Sequence, residues 1–235
     1  MRALLFIGLL AYSTTTYTAT VDIDTSRWSL ALTSNHPTSQ PISPWTGLDG
    51  NNAAQDLNGH SALISDYTHN SDFIFSGVVT PTDIAWNDND IIGIVFGWQD
   101  SENHYRLGWE QDGLNDISSA SGLFLVREVA GNSTILYQSE QFWQDNVDYN
   151  FNTYRSGDTI GFSLDNIVQS FVDSTFTSGK VGLYVESQSA QFAHLSSVAT
   201  VPIPAAIFLF TPLILLFLLY QHYASRREMS DRLSV

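Results

Sequence analysis

Between Asp22 and Thr200 the chain has almost no run of apolar residues at helical spacing. It is built from short segments rich in β-branched and aromatic residues, each closed by Gly, Asn, Asp or Ser. The segments that read as strands are DFIFSGVVTP (72–81), IIGIVFGWQ (91–99), HYRLGWEQ (104–111), GLFLVREV (122–129), STILYQSE (133–140), DTIGFSL (158–164), IVQSFVD (167–173), KVGLYVES (180–187) and QFAHLSSV (191–198). Turn signals fall between them at Gly131-Asn132, Asp165-Asn166 and Ser178–Lys180, where hairpins need left-handed backbone. About ten short strands at this spacing predict an all-β fold, an antiparallel β-sandwich of jelly-roll type. The stretch 22–59 is harder to read. NHPTSQPISPW (35–45) carries three prolines and reads as an extended loop, and SRWSLAL (26–32) as an edge strand. The chain has no cysteine, so the fold stands on its core or on bound metal, and zinc–thiolate and thiol-redox chemistry are excluded.

Strand alternation sorts the centre of the chain into two faces. Ile92, Ile94, Phe96 and Trp98 should point into the core, joined from the next strand by Tyr105, Leu107 and Trp109. The opposite face carries Gly93, Gly97 and Gly108 and is expected to be shallow, close enough to backbone for a ligand or a covering loop. Gln99, Arg106 and Glu110 are the candidate ligand-binding residues there; an Arg106–Glu110 pair that merely solvates the sheet is the alternative. Ahead of this strand, Asn87-Asp88-Asn89-Asp90 offers the hard oxygen ligands that calcium takes. Asp88 and Asp90 are its expected ligands, although the same four residues also make a good turn. Asp100 lies about 30 Å away along an extended strand and belongs to another site or to none. The six histidines have no zinc-ligand spacing, which argues against a zinc hydrolase.

Asn87–Gln111, NDNDIIGIVFGWQDSENHYRLGWEQ, resembles the thrombospondin C-terminal domain, in which acidic residues precede a GFxFGYQ-like strand and its aromatic hairpin partner. SGKVGLYVESQSAQFAHLSSV (178–198) resembles the closing strands of laminin-G and concanavalin-like domains. The resemblance spans about 72–198 and implies a concanavalin-like sandwich, a fold that hosts lectins, adhesion modules and glycoside hydrolases alike. Related families place calcium at acidic loops of this kind. Hydrolases of the fold carry two glutamates flanking an aspartate on one strand; WEQDG offers only Glu110 and Asp112. The expected function is therefore non-catalytic binding of a glycan or a surface protein. A glycoside hydrolase acting on extracellular polysaccharide is the alternative.

Both chain ends carry addresses. Arg2 followed by ALLFIGLLA reads as a secretory signal peptide, assigned to 1–20; AYS (11–13) has small residues at the offsets a signal peptidase needs. Residues 21–200 form the domain. In 201–235, a charge-free run with an expected span over 203–221 precedes Arg226, Arg227 and Arg232, and such basic clusters stay cytoplasmic. Of nine basic and 24 acidic residues, four and two lie in these ends, which leaves the domain at about −17. Such a surface repels nucleic acid, which is excluded as a partner. Val201-Pro202-Ile203-Pro204-Ala205 stops helix propagation and holds the backbone extended, as processing enzymes bind it. VPIPA, the span and the basic cluster in this order resemble the VPxPA form of the PEP-CTERM sorting tail, with Val201, Pro202, Pro204 and Ala205 as the motif. That resemblance implies an exosortase as partner, a membrane-held stage, and the cell envelope of a Gram-negative bacterium.

Overall fold

The computed structural model describes residues 17–32, 42–82, 90–111, 118 and 120–201. Its strands are β1 (Tyr17–Val21), β2 (Ser29–Ala31), β3 (Thr46–Asp49), β4 (Asn52–Ile64), β5 (Phe73–Pro81), β6 (Ile91–Asp100), β7 (Asn103–Glu110), β8 (Leu123–Val129), β9 (Asn132–Ser139), β10 (Tyr149–Ser156), β11 (Thr159–Leu164), β12 (Ile167–Val172) and β13 (Lys180–Val201). The one helical element among the described residues is a 3-10 turn at Thr25–Arg27, capped by the Asp24 side chain. The expected all-β antiparallel sandwich is what forms.

One layer runs β9-β8-β7-β6 to the first half of β13, with the end of β4 and then β2 beyond it. The other runs β12-β11-β10-β5 to the second half of β13. β13 is therefore shared. Its register shifts on both sides of Gln188, and Ser187 takes φ 55°. These bulges bend the strand from one layer into the other. The two segments expected as separate last strands are this one strand.

The main core lies between the layers. Phe73, Phe75, Phe96, Tyr105, Phe162 and Phe192 all lie within it. Phe96 stacks on Tyr105 at 5.1 Å and Trp109 meets Tyr149 edge-on at 4.4 Å. Each fully buried ring of this size contributes about 1.5–3 kcal/mol, which is how a chain without cross-links holds together. Two buried indoles are tied to backbone: Trp109 Nε1 donates to Gln141 O at 2.8 Å and Trp143 Nε1 to Trp109 O at 3.1 Å. Asp173 accepts from Tyr105 Oη at 2.7 Å and Arg127 Nη1 at 2.8 Å, pinning the β12–β13 connection to β7 and β8. Burial opposes ionisation of Asp173, but these donors and Thr175 hold its carboxyl below the usual range.

Trp98 is a correction. It does not follow Ile92, Ile94 and Phe96 into the main core; it lies in a second apolar cluster with Val95, Phe124 and Tyr184. Gly97 at φ +60° inserts a bulge, seen as register shifts toward both β7 and β13. One extra residue turns every later side chain to the other face. The expected edge strand near Trp28 is β2, exposed and paired with β4. The expected boundary at residue 20 falls inside β1, which pairs with β13, and the compact unit runs Thr18–Thr200. The signal-peptide run, the span 203–221 and Pro202, Pro204 and Ala205 lie outside the described residues; β13 ends at Val201. Among the described residues no helix is long and apolar enough to cross a membrane.

Candidate functional site

The second face of β6, β7 and β8 is not the shallow, solvated surface expected of it. His104, Arg106, Glu110 and Glu128 are all 0% exposed. Gly93 and Gly108 pair across β6 and β7, and the protein itself fills the hollow they leave. A Cβ on Gly93 would fall 2.1 Å from Tyr184 Cε1, and one on Gly108 2.1 Å from both Tyr184 Oη and Phe124 Cζ. Arg106 stands 5.7 Å from the centre of the Tyr184 ring. Its Nη1 lies 3.4 Å from Glu186 and its Nη2 3.8 Å from Glu128. Its guanidinium thus lies against glutamates 128 and 186, and Glu110 Oε1 accepts from Gly122 N at 2.7 Å. Beside them His104 meets the Trp98 ring at 4.7 Å. Burial, then the Arg106 charge, push its pKa down to about 3.

The predicted trio does not converge. Gln99 is exposed at the far end of β6, its amide donating to the carbonyls of Gly97 and Ser178. Glu110 faces Ile91 at the near end, about 26 Å away for eight residues of strand. Buried, partnered charges such as Arg106 lock a structure, since removing one partner costs about 3–5 kcal/mol. Asp90 is buried at the mouth of β6; Asp88 lies outside the described residues. Among the described residues no three His, Asp or Glu gather to hold a metal. Calcium takes six to eight oxygens, and of its two expected ligands Asp90 is the one among the described residues.

An open groove lies on the other layer. Along β5, β10 and β11, Phe75, Val79, Phe151, Thr153, Ile160 and Phe162 point inward. Alternation then turns Ser76, Val78, Asn150, Asn152, Tyr154 and Ser163 outward. Register places Ser76 beside Asn152 and Asn152 beside Ser163. These residues form a groove of about 300 Å³, lined by Ser76, Asn150, Asn152, Ser163, Asp165 and His194. Two of its members hold left-handed backbone without being glycine: Asp165 at φ 46° and His194 at φ 55°. Asp165 turns β11 into β12 and is fixed to β10, its Oδ1 accepting from Asn150 N at 3.0 Å and its N donating to Asn150 O at 2.9 Å. His194 sits in the bulge where β13 slips against β5 between Ala193 and Ser196, a device that re-aims a side chain.

Amides, hydroxyls, one carboxylate and one imidazole give this groove donors and acceptors in alternation, with no lysine or arginine among its lining residues. That inventory suits a neutral, polyhydroxylated ligand. The available sequence signal is the spacing of Asn150, Asn152 and Tyr154 in YNFNTYRS, which puts all three on one face once the segment is a strand.

Fold and layering together define an antiparallel β-sandwich, similar in fold to a Bacillus subtilis protein described as having a galectin-like fold. No family model matches the chain, and no curated protein is similar to it in sequence. Solved structures are similar in fold. The carbohydrate-binding module CBM66 from Bacillus subtilis superposes with TM-score 0.50 at 18% identity, over 77% of this chain and 94% of that one. The CBM2 module of the evolved Dit of Lactobacillus casei BL23 phage J-1 gives 0.52 at 13% identity, over 80% and 98%. A proposed glycosyl hydrolase from Parabacteroides distasonis gives 0.51 at 10% identity, over 76% and 90%. At such identities the likeness is one of fold.

Proposed function

We propose that this domain binds carbohydrate without cleaving it, through the groove on β5, β10, β11 and β13. The observation that carries the reading is the groove itself: neutral amide and hydroxyl side chains from several strands, with Asp165 and His194 at its rim. The carbohydrate-binding modules among the fold's solved neighbours agree with it. Hydrolysis is the weaker reading, because retaining and inverting enzymes both use two carboxyl groups. The groove residues supply one, Asp165, already engaged by Asn150 N. On the opposite layer Glu128 and Glu186 are clamped to a fully buried Arg106. The test is a glycan array on the purified protein, followed by calorimetry with the polysaccharide that binds. Asn150→Ala with Asn152→Ala should weaken binding at least about tenfold, two lost hydrogen-bonding groups at roughly 1 kcal/mol each. Unchanged affinity overturns the assignment of the groove, and release of new reducing ends overturns the claim of binding alone.

The order of Pro202, Pro204, apolar span and Arg226-Arg227 supports a sorting tail in the same protein. On this reading an exosortase is the processing partner, and the domain acts on the outer side of the envelope of a Gram-negative bacterium. Mass spectrometry of surface-released protein should find no peptide around Tyr220. Replacing Pro202 and Pro204 by alanine should leave the chain membrane-bound.

A further inference from the structure

We propose that the groove continues along β10 into a second subsite floored by Tyr154, so that the site takes the interior of an extended polysaccharide chain rather than a single sugar or a chain end. The proposal rests on the carbohydrate reading above. Tyr154 follows Asn152 on the outward face, and in register it lies beside Gly161 on β11 and Ile74 on β5. A Cβ on Gly161 would come within 2.4 Å of Tyr154 Cζ and Oη. The ring therefore lies down across β11, and only a residue without a Cβ leaves room for it. Ile74 is 48% exposed beside it, and Val198 lies opposite Ile74 on β13. Tyr154, Ile74, Val198, Thr18, Ser156 and Thr200 border a second hollow of about 170 Å³.

The two hollows are consecutive on the same strands. Asn150, Asn152 and Ser76 line the first; Tyr154, Ser156 and Ile74 line the second. From Asn150 to Ser156 the track is about 20 Å long at the rise of a strand, several times the width of one sugar ring. Its chemistry changes along the way, from amide and hydroxyl groups to an aromatic ring flanked by Ile74 and Val198, with Thr18, Asp72, Arg155, Ser156 and Thr200 at the margins. A pyranose unit is polar at its rim and apolar on its C–H face. Successive units of a linear glycan meet both demands, with hydrogen bonds at the first hollow and stacking at the second. An extended peptide is a poorer occupant: β10 pairs on both sides, with β5 and β11, so the floor offers no free backbone edge for strand addition.

The probe is a ladder of one to six sugar units, made by partial hydrolysis of the polysaccharide that the wild-type protein binds on the array. Calorimetry should show affinity rising about tenfold or more with length and then levelling, the magnitude expected for one stacked ring and its buried area. Tyr154→Ala should flatten the rise while leaving the one- and two-unit values within about twofold. Tyr154→Phe should keep the rise, and Asn152→Ala should lower every rung. A flat wild-type ladder, or a Tyr154→Ala loss equal at every length, overturns the proposal while the groove assignment stands. Absence of binding at every rung overturns both.

Discussion

Lowering the pH from 7 to 5 should destabilise the sandwich through two histidines that fold in the neutral form. His69 stacks on Phe73 at 4.5 Å, meets Tyr67 edge-on at 5.3 Å, and places Nε2 2.9 Å from Ser197 Oγ. Burial pushes its pKa down to about 4. His104 is lowered to about 3, by burial first and the Arg106 charge second. Both folded values lie below the unfolded one of about 6.5. The unfolded chain therefore binds the extra protons as pH falls, and stability is complete above about 6.5 and lost below it. At pH 5 each unfolded imidazole is almost fully charged while each folded one is still neutral, a loss of roughly 2 kcal/mol per histidine. Two give about 4 kcal/mol, and at 2–4 °C per kcal/mol for a domain of this size the melting point should fall by roughly 8–16 °C. Asp173, held below the usual carboxylate range, stays ionised in this window and does not blur it. Calorimetric melts at pH 7, 6 and 5, at constant ionic strength, make the measurement. His69→Asn should melt lower at pH 7 yet lose about half of the pH-dependent drop. A wild-type drop below 3 °C, or a drop that His69→Asn leaves intact, would refute the reasoning.

Gly93→Ala should cost at least about 3 kcal/mol or prevent folding, because the new Cβ would meet Tyr184 at 2.1 Å and the Leu107 carbonyl at 2.2 Å. Gly131→Ala, with nothing within 4 Å but φ +73°, should cost only about 1 kcal/mol; equal urea midpoints for the two would contradict the packing described. The expectation that Asp88 and Asp90 hold calcium is checked by melting with and without the ion. Hundredfold excess over Kd adds about 2.7 kcal/mol, and a midpoint unmoved by millimolar calcium, or moved equally in Asp88→Asn with Asp90→Asn, reduces NDND to a turn. Because β1 pairs with β13, N-terminal sequencing of exported protein should find a start before Tyr17, near AYS; a start at Thr20 would mean that β1 is dispensable.

Strands such as β5, β6 and β8 are legible because their own composition is β-branched and aromatic. β10 is missing from the segments read as strands, since YNFNTYRS carries no Val, Ile or Leu. Its inward residues, Phe151, Thr153 and Arg155, are recognisable only once a partner strand is known. The open groove is hidden for the same reason, and His194 adds a second obstacle, because its outward aim depends on a bulge that no residue type announces. Period-two alternation correctly separates Arg106 and Glu110 from Tyr105, Leu107 and Trp109. It says which side of a sheet a residue is on and nothing about what fills that side, so the burial of Arg106 under its neighbours is invisible to it. The misplacement of Trp98 turns on one glycine: alternation assumes an unbroken ladder, and Gly97 breaks it.

β13 also decides how the domain bears load. Tension applied at Thr200 enters along the axis of a strand that is flanked by β4 and β6 in one half and by β4 and β5 in the other. Pulled lengthwise, its interstrand hydrogen bonds are sheared together, so many must fail at once. The edge strands β9 and β12, each with one neighbour, would be peeled bond by bond under a sideways force. A pull along β13 is thus resisted by hydrogen bonds on both of its sides, where a pull on an edge strand would meet one side alone.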